Sequence, residues 1–302
     1  MITERGEQMK IYANMHTHST HSDGQYTPAE LVAIAKKEGY RAIAIADHDT
    51  ATAFPELKAA CDREGLECMF AVEFSVSEPI KCHIVAFDFD PEYPEMKRYL
   101  ADMGVRQTDN TKHCFDEAVE NGNIQGITWE EILEYNKGII WLCNNHVFRA
   151  MKSKGLVEDS DYMEWFDTNF RYQRGKYPPN IKFKTMSEIT SLVKAAGGFT
   201  VCAHPSRYLL EHVELLLENG IEGLEILHSE LSEDDRRLAY DICIEKGLYI
   251  SGGSDHEGLC GGYYSSYPTE EALKASCHYI EPLSVGVYEQ NFRELQTRKI
   301  NR

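Results

Sequence analysis

Ile11-Tyr12-Ala13-Asn14-Met15-His16-Thr17-His18 starts as a short apolar run and closes on two histidines. A helix opens soon after, at Thr27-Pro28-Ala29-Glu30. Thr27 is its N-cap, Pro28 sits at the first helical position, Glu30 completes a capping box and Gly39 stops it. Next comes Ala42-Ile43-Ala44-Ile45-Ala46, a second apolar run, again with a polar tip, Asp47-His48-Asp49. Strand, helix, strand, with polar groups at both strand ends, sets the fold class. It is α/β, with a mostly parallel sheet that is open or closed into a barrel.

The rhythm continues outward. Further strands are expected at 68–72, 83–87, 199–203, 223–227 and 248–251, with a last one at 284–288. Helices are expected at 55–64, from 187 to Gly197-Gly198, and at 232–246, with Gly65 and Gly247 as stops. Residues 101–185 break the pattern. They are polar, rich in aromatics and helical in periodicity, with Tyr177-Pro178-Pro179-Asn180 near the exit. The expected organisation is a body of residues 9–100 and 186–290, capped by a mainly helical insertion, 101–185. A long loop with two helices is the alternative.

Potential metal ligands cluster after the strands, at the edge where α/β folds build sites. His16 and His18, two apart on an extended segment, point the same way, so both imidazoles can reach one ion. Asp23, in Ser22-Asp23-Gly24, can return to that pocket from a loop. Asp49 and Thr50 suit a turn and helix cap, but His48 has no such role. Glu73 ends the apolar run Met69-Phe70-Ala71-Val72, where burial is costly unless the carboxylate is paired or metal-bound. His83 alone would read as a core histidine; its company changes that. Ala203-His204-Pro205 and Gly253-Ser254-Asp255-His256 repeat the pattern. The convergence implies a multinuclear site. Mixed imidazole and carboxylate donors suit Mn²⁺, Fe or Zn²⁺ and disfavour Ca²⁺.

These pieces, His16-Thr17-His18, Ser22-Asp23-Gly24, Asp47-His48-Asp49, Glu73, His83, Ala203-His204-Pro205 and Gly253-Ser254-Asp255, occur in an order that resembles the polymerase and histidinol phosphatase (PHP) family of metal-dependent phosphoesterases. The resemblance covers residues from about 10 to 260. It implies a distorted (β/α)7 TIM-like barrel with a trinuclear metal centre, thus two to three divalent ions. His16, His18, Glu73 and Asp255 would hold one ion. Glu73, His83 and His204 would hold a second, with Glu73 bridging. Asp23 and His48 would hold a third. The family's usual last ligand is a His two residues after the final Asp; here that position is Glu257, and His256 comes one residue early. Either His256 swings in, or Glu257 ligates, or the third site is weak, and His256 is slightly favoured.

In the insertion, Asn144-Asn145-His146-Val147-Phe148-Arg149 resembles a family segment of Arg-Pro-His followed by Arg, with Asn144 replacing the first Arg. By that likeness His146 and Arg149 contact substrate, and His146 could donate a proton to the leaving group. Arg207, after Ala203-His204-Pro205-Ser206, resembles a phosphate-gripping Arg, a role its planar fork suits. The implied reaction is hydrolysis of a small phosphate ester, of nucleotide or nucleoside bisphosphate type, by a metal-bridging hydroxide attacking phosphorus. Opening of a cyclic phosphate, or a histidinol or sugar phosphate phosphatase, is the alternative. A non-catalytic metal-binding regulatory domain and C–N hydrolysis are further readings.

The 302 residues carry 31 Lys+Arg against 49 Asp+Glu, a formal charge of −18. That balance argues against long nucleic acids and against anionic membrane surfaces as partners. A small phosphorylated substrate stays compatible, because bound cations invert the local field. Nine cysteines, an odd number with no C-x-x-C pair, argue against a disulfide framework or Cys-type zinc. The charged start, without an apolar h-region, and the lack of long apolar runs lead to the expectation of a cytoplasmic protein. Oligomeric state is not legible.

Overall fold

The computed structural model describes residues 10–171, 182–255, 281 and 283–300. In chain order the elements are β1 (Ile11–Asn14), α1 (Pro28–Glu38), β2 (Ala42–Ile43), α2 (Phe54–Glu64), β3 (Glu67–Cys68), β4 (Ala71–Val76), β5 (Cys82–Phe87), α3 (Pro94–Glu120), α4 (Trp129–Tyr135), α5 (Asn144–Ser153), α6 (Tyr162–Phe166), α7 (Met186–Ala195), β6 (Phe199–Cys202), α8 (Arg207–Glu211), α9 (Val213–Glu218), β7 (Gly223–Glu225), α10 (Glu233–Lys246), β8 (Tyr249–Ser251), β9 (Val287–Tyr288) and α11 (Glu289–Thr297). Helix α1 has the expected ends: the Thr27 hydroxyl accepts from the Glu30 amide, the Glu30 carboxylate accepts from the Thr27 amide, and Gly39 adopts φ +98°.

Among the described residues the strands form two sheets, ordered β3-β2-β1-β9 and β4-β5-β6-β7-β8. The fold is mixed α/β; the expected distorted (β/α)7 TIM-like barrel is not confirmed, and no closed barrel is found among the described residues. β1, β2 and β3 pair in parallel, as do β6, β7 and β8, whereas β4, β5 and β6 pair antiparallel. The reason lies in the connection. Residues 77–81 between β4 and β5 are too few for a crossover helix, so the chain turns back as a hairpin. The strand expected at 68–72 is likewise split, β3 joining one sheet and β4 the other. The sheets meet at one isolated bridge, His48 to Glu73, and through the Met15 amide donating to the Gly252 carbonyl at 3.1 Å.

Period-two alternation divides the layers. Ala42, Ala44 and Ala46 face the space between the sheets, with Met15, Val85, Phe87 and Val201. Ile43 and Ile45 face outward onto Leu31, Val32 and Leu57 of α1 and α2. Small inner and large outer side chains let the sheets approach while helices cover the outside. On the second sheet Val72, Phe74 and Ile84 pack against Met96 and Met103 of α3 and Ile189 and Val193 of α7. Leu57 is fully buried, and truncating such a side chain to Ala costs about 2–5 kcal/mol.

The insertion has its own core, including Phe115, Ile132, Phe148, Tyr162 and Trp165. The boundary expected at residue 101 falls within α3. Tyr99, Leu100 and Met103 of that helix belong to the body core, Cys114 and Phe115 to the insertion core. The Tyr177-Pro178-Pro179-Asn180 stretch lies outside the described residues. No described helix is long and apolar enough to cross a membrane.

Candidate metal centre

The side chains that the sequence singles out converge where the two sheets meet. His16 and His18 follow β1, and His48 follows β2. Glu73 lies in β4, His83 in β5, His204 after β6 and Asp255 after β8. Glu73 is fully buried at the centre. Its Oε1 lies 3.5 Å from His16 Nε2, 3.1 Å from His83 Nδ1 and 3.2 Å from His204 Nε2. Its Oε2 lies 3.4 Å from His18 Nε2 and 3.0 Å from His48 Nδ1. Asp255 Oδ1 is 3.2 Å from His16 Nε2 and 2.8 Å from His18 Nε2. Asp23 lies 3.5 Å from His18 Nδ1 and 3.6 Å from His48 Nε2. His256 and Glu257 lie outside the described residues.

The backbone is bent to make this possible. His204 and Asp255 adopt φ +26° and +58°, a region that non-glycine residues enter at a cost. Gly253 has no alternative: a Cβ there would sit 2.5 Å from the His16 amide nitrogen. Asp47 accepts from the Ser19 amide at 2.7 Å and from the Ser19 and Ser22 hydroxyls at 2.6 Å each, which fixes the loop carrying Asp23.

Charge is mutually tuned. Burial opposes protonation of His48, but the Glu73 and Asp23 carboxylates outweigh it and push its pKa up to about 10. His204 is likewise opposed by burial and raised to about 9 by Glu73, Asp255 and Glu225. Burial pushes the Glu73 carboxyl up, yet His83, His48 and His16 hold it well below its usual range.

These groups fit divalent cations. Glu73 Oε2 and His48 Nδ1 are buried and have no hydrogen-bond partner, although only 3.0 Å separates them. His16 and His18 bring two ring nitrogens within 3.2 Å. Imidazole and carboxylate donors converging this closely suit an ion with N/O ligation, which would take the place of the protons that the metal-free rings carry. His16, His18, Glu73 and Asp255 form one compact donor set, His48, Glu73 and His83 another, and His18, Asp23 and His48 a third.

The residues assigned by likeness to substrate are placed differently. His146 is fully buried: its Nδ1 accepts from the Cys143 amide at 2.9 Å, so Nε2–H donates to the Thr20 carbonyl at 3.1 Å. Burial and the Arg149 charge hold its pKa well below the ordinary imidazole value. Arg149 donates to the Gly24 and Thr20 carbonyls, and Asn145 to the Asp23 carbonyl. The start of α5 thus grips the Asp23 loop. Arg207, half exposed, pairs its Nε with Asp235 at 2.7 Å. None of these contacts joins His146, Arg149 or Arg207 to the carboxylate and imidazole cluster.

Sequence reasoning passed over Glu225 and His228, both fully buried beside His16. The signal was present. In Gly223-Leu224-Glu225-Ile226-Leu227-His228 a carboxylate interrupts an apolar strand, as Glu73 does.

A family model described as the PHP domain matches residues 14–174, more than half of the chain. The chain belongs to the PHP domain family. It is a metal-dependent phosphoesterase, a hydrolase, as its relatives are. The 5'-3' exoribonuclease Rnm of Salmonella typhimurium is 29% identical over 263 residues, covering 83% of this chain and 86% of the relative. The 3',5'-nucleoside bisphosphate phosphatase of Chromobacterium violaceum is 27% identical over 252 residues, covering 80% and 86%. A phosphoesterase structure from Bifidobacterium adolescentis shares the fold, with a TM-score of 0.72 at 24% identity over 97% of this chain and 99% of that one.

Proposed function

We propose that this PHP chain hydrolyses a small nucleotide phosphate ester, such as a nucleoside phosphate or bisphosphate. The observation that carries this reading is a cavity of about 440 Å³ over the cluster, lined by Asp23, His48 and His83 on one side and by Trp141, Tyr162 and Phe166 of the insertion on the other. Ligand pockets of this kind are typically about 300–1,000 Å³. The ring of Trp141 lies 6.0 Å from that of His48 at an interplanar angle of 27°. A phosphate held at the cluster would therefore leave its base or sugar against an aromatic wall.

His16, His18, Glu73 and Asp255 would hold one ion, Glu73, His83 and His204 a second, and Asp23 and His48 a third, with Mn²⁺, Fe or Zn²⁺ as the suited metals. When bound, such ions supply Lewis-acid activation of the phosphoryl group and of the attacking water. The chain's own groups do the rest. Glu73 holds the ligand sets in register, the cavity orients the ester, and Trp141 and Phe166 exclude water from one side. Among the described residues neither Lys nor Arg lines the cavity, and the reading has the phosphate charge met at the cluster itself. His146, with both nitrogens committed to backbone groups, holds the Asp23 loop and moves no proton.

Several relatives are named as exoribonucleases, so RNA ends belong in the test. The charge of −18 favours the small substrate. Phosphate and nucleotide release should be measured on a nucleoside 3',5'-bisphosphate, a 5'-phosphorylated RNA oligomer, a cyclic ribose phosphate and a sugar phosphate. The reading predicts the highest kcat/KM on the bisphosphate. A clear preference for the oligomer or the sugar phosphate would overturn it.

A further inference from the structure

Glu225 stands outside the three ligand sets assigned above. It is fully buried in β7, and among the described residues no Lys or Arg pairs with it. Its Oε1 lies 3.0 Å from His16 Nδ1. Its Oε2 accepts from the backbone amide of His204 at 2.7 Å. His228, also fully buried, accepts from the Glu230 amide through Nδ1 at 3.2 Å, so its Nε2–H points toward Glu225 Oε2, 3.7 Å away.

We propose that Glu225 is a positioning residue that sets two metal ligands at once: the tautomer and tilt of the His16 ring, and the left-handed backbone of His204. The inference rests on the assignment of His16 and His204 as ligands. The two contacts have different jobs. By accepting from His16 Nδ1–H, the carboxylate leaves Nε2, the atom that faces Glu73, Asp255 and His18, free of a proton and able to ligate. By accepting from the His204 amide it holds that residue at φ +26°, a conformation costing on the order of 1–3 kcal/mol elsewhere. His16 follows β1 in one sheet and His204 follows β6 in the other, so one buried carboxylate keeps ligands of both sheets in mutual register.

A glutamine keeps the shape but not the function. Its single carbonyl oxygen can accept from His16 or from His204, and its NH₂ then faces the other donor. Glu225→Gln should therefore weaken metal binding without changing the cavity. Wild type, E225Q and H16A would be loaded with Mn²⁺ and Co²⁺, and affinity read by Mn²⁺ EPR titration, with Tm of each metal-free form as the fold control. E225Q is expected to keep its metal-free Tm within a few degrees, to bind the ion roughly 10- to 100-fold more weakly, and to show an altered Co²⁺ absorption spectrum. Wild-type affinity and an unchanged spectrum in E225Q, while H16A loses the ion, would overturn the positioning role and leave the ligand assignment standing. No high-affinity binding to wild type would overturn both. If E225Q does not fold, E225D, one methylene shorter, takes its place: weakened affinity supports the proposal and wild-type affinity ends it.

Discussion

Adding a divalent ion to the metal-free protein should expel protons in a predictable number. The perturbation is titration with Mn²⁺ at about pH 7.5. In the metal-free cluster the pKa of His48 is near 10 and that of His204 near 9, both raised from 6.5 by carboxylates that outweigh burial. At about pH 7.5 each ring is therefore more than roughly 95% protonated. A metal-ligating imidazole must be neutral, so filling the sites releases about two protons from these rings alone. Calorimetry in two buffers of different ionisation enthalpy gives the count. Over about pH 6.5 to 8 the apparent affinity should rise by roughly 100-fold per pH unit, the slope for two protons, and more gently as pH nears the His204 pKa of about 9. The sign for stability follows separately. A folded-state pKa above the unfolded value stabilises fully below about pH 6.5 and is lost as pH rises through 9 to 10. Tm of the metal-free protein should fall over that window, and that of the loaded protein should not. Release of fewer than about one proton, or proton uptake, would refute the reasoning.

Three substitutions probe the surroundings. Gly253→Ala places a methyl group 2.5 Å from the His16 amide and 2.6 Å from its Cβ; the resulting strain should cost about 1–3 kcal/mol and weaken ion binding, seen as a lower Tm and a shifted titration. Arg149→Ala strands the Gly24 carbonyl and leaves the Thr20 carbonyl to His146 alone, and should cost about 1–3 kcal/mol of stability. A selective rise in KM at unchanged Tm would instead return Arg149 to substrate binding. Trp141→Ala removes the aromatic wall and should raise KM for a nucleotide roughly 5- to 150-fold, the range for a lost base stack, with little change for a phosphate ester that has no ring. Equal effects on both esters would place the base elsewhere.

The clustered side chains were legible because each breaks a local rule. A histidine pair two apart on a strand, a Glu ending an apolar run and a His before Pro are visible without partners. The capping box of α1 and the glycine stops were legible for the same reason, since their physics lies within a few residues. Other features depend on residues distant in sequence. That β4 and β5 form a hairpin follows from what residues 77–81 omit, and an expectation of alternating strand and helix hides it. The role of Arg149 is set by carbonyls 125 residues earlier, at Gly24, and 129 earlier, at Thr20. Family likeness pointed that side chain at substrate, whereas the structure turns it to the loop below. Glu225 was missed although it carries the same signal as Glu73, because its partners, the His16 ring and the His204 amide, lie far from it in sequence.

Among the described residues the two sheets share a single isolated bridge, at His48 and Glu73, and the cluster straddles that seam. One sheet contributes residues 16, 18, 23 and 48, and the other contributes residues 73, 83, 204 and 255. During synthesis the first group leaves the ribosome long before the last. An emerging chain can offer a bidentate histidine pair early, but a complete cage exists only after Asp255 appears. With the ligand sets proposed above, metal capture would be a late event in the life of the chain, coupled to closure of the seam. An ion seated there acts as a rivet between two halves that otherwise hold each other with few strand bonds, so proteolytic nicking at the seam should report occupancy as sensitively as any assay of turnover.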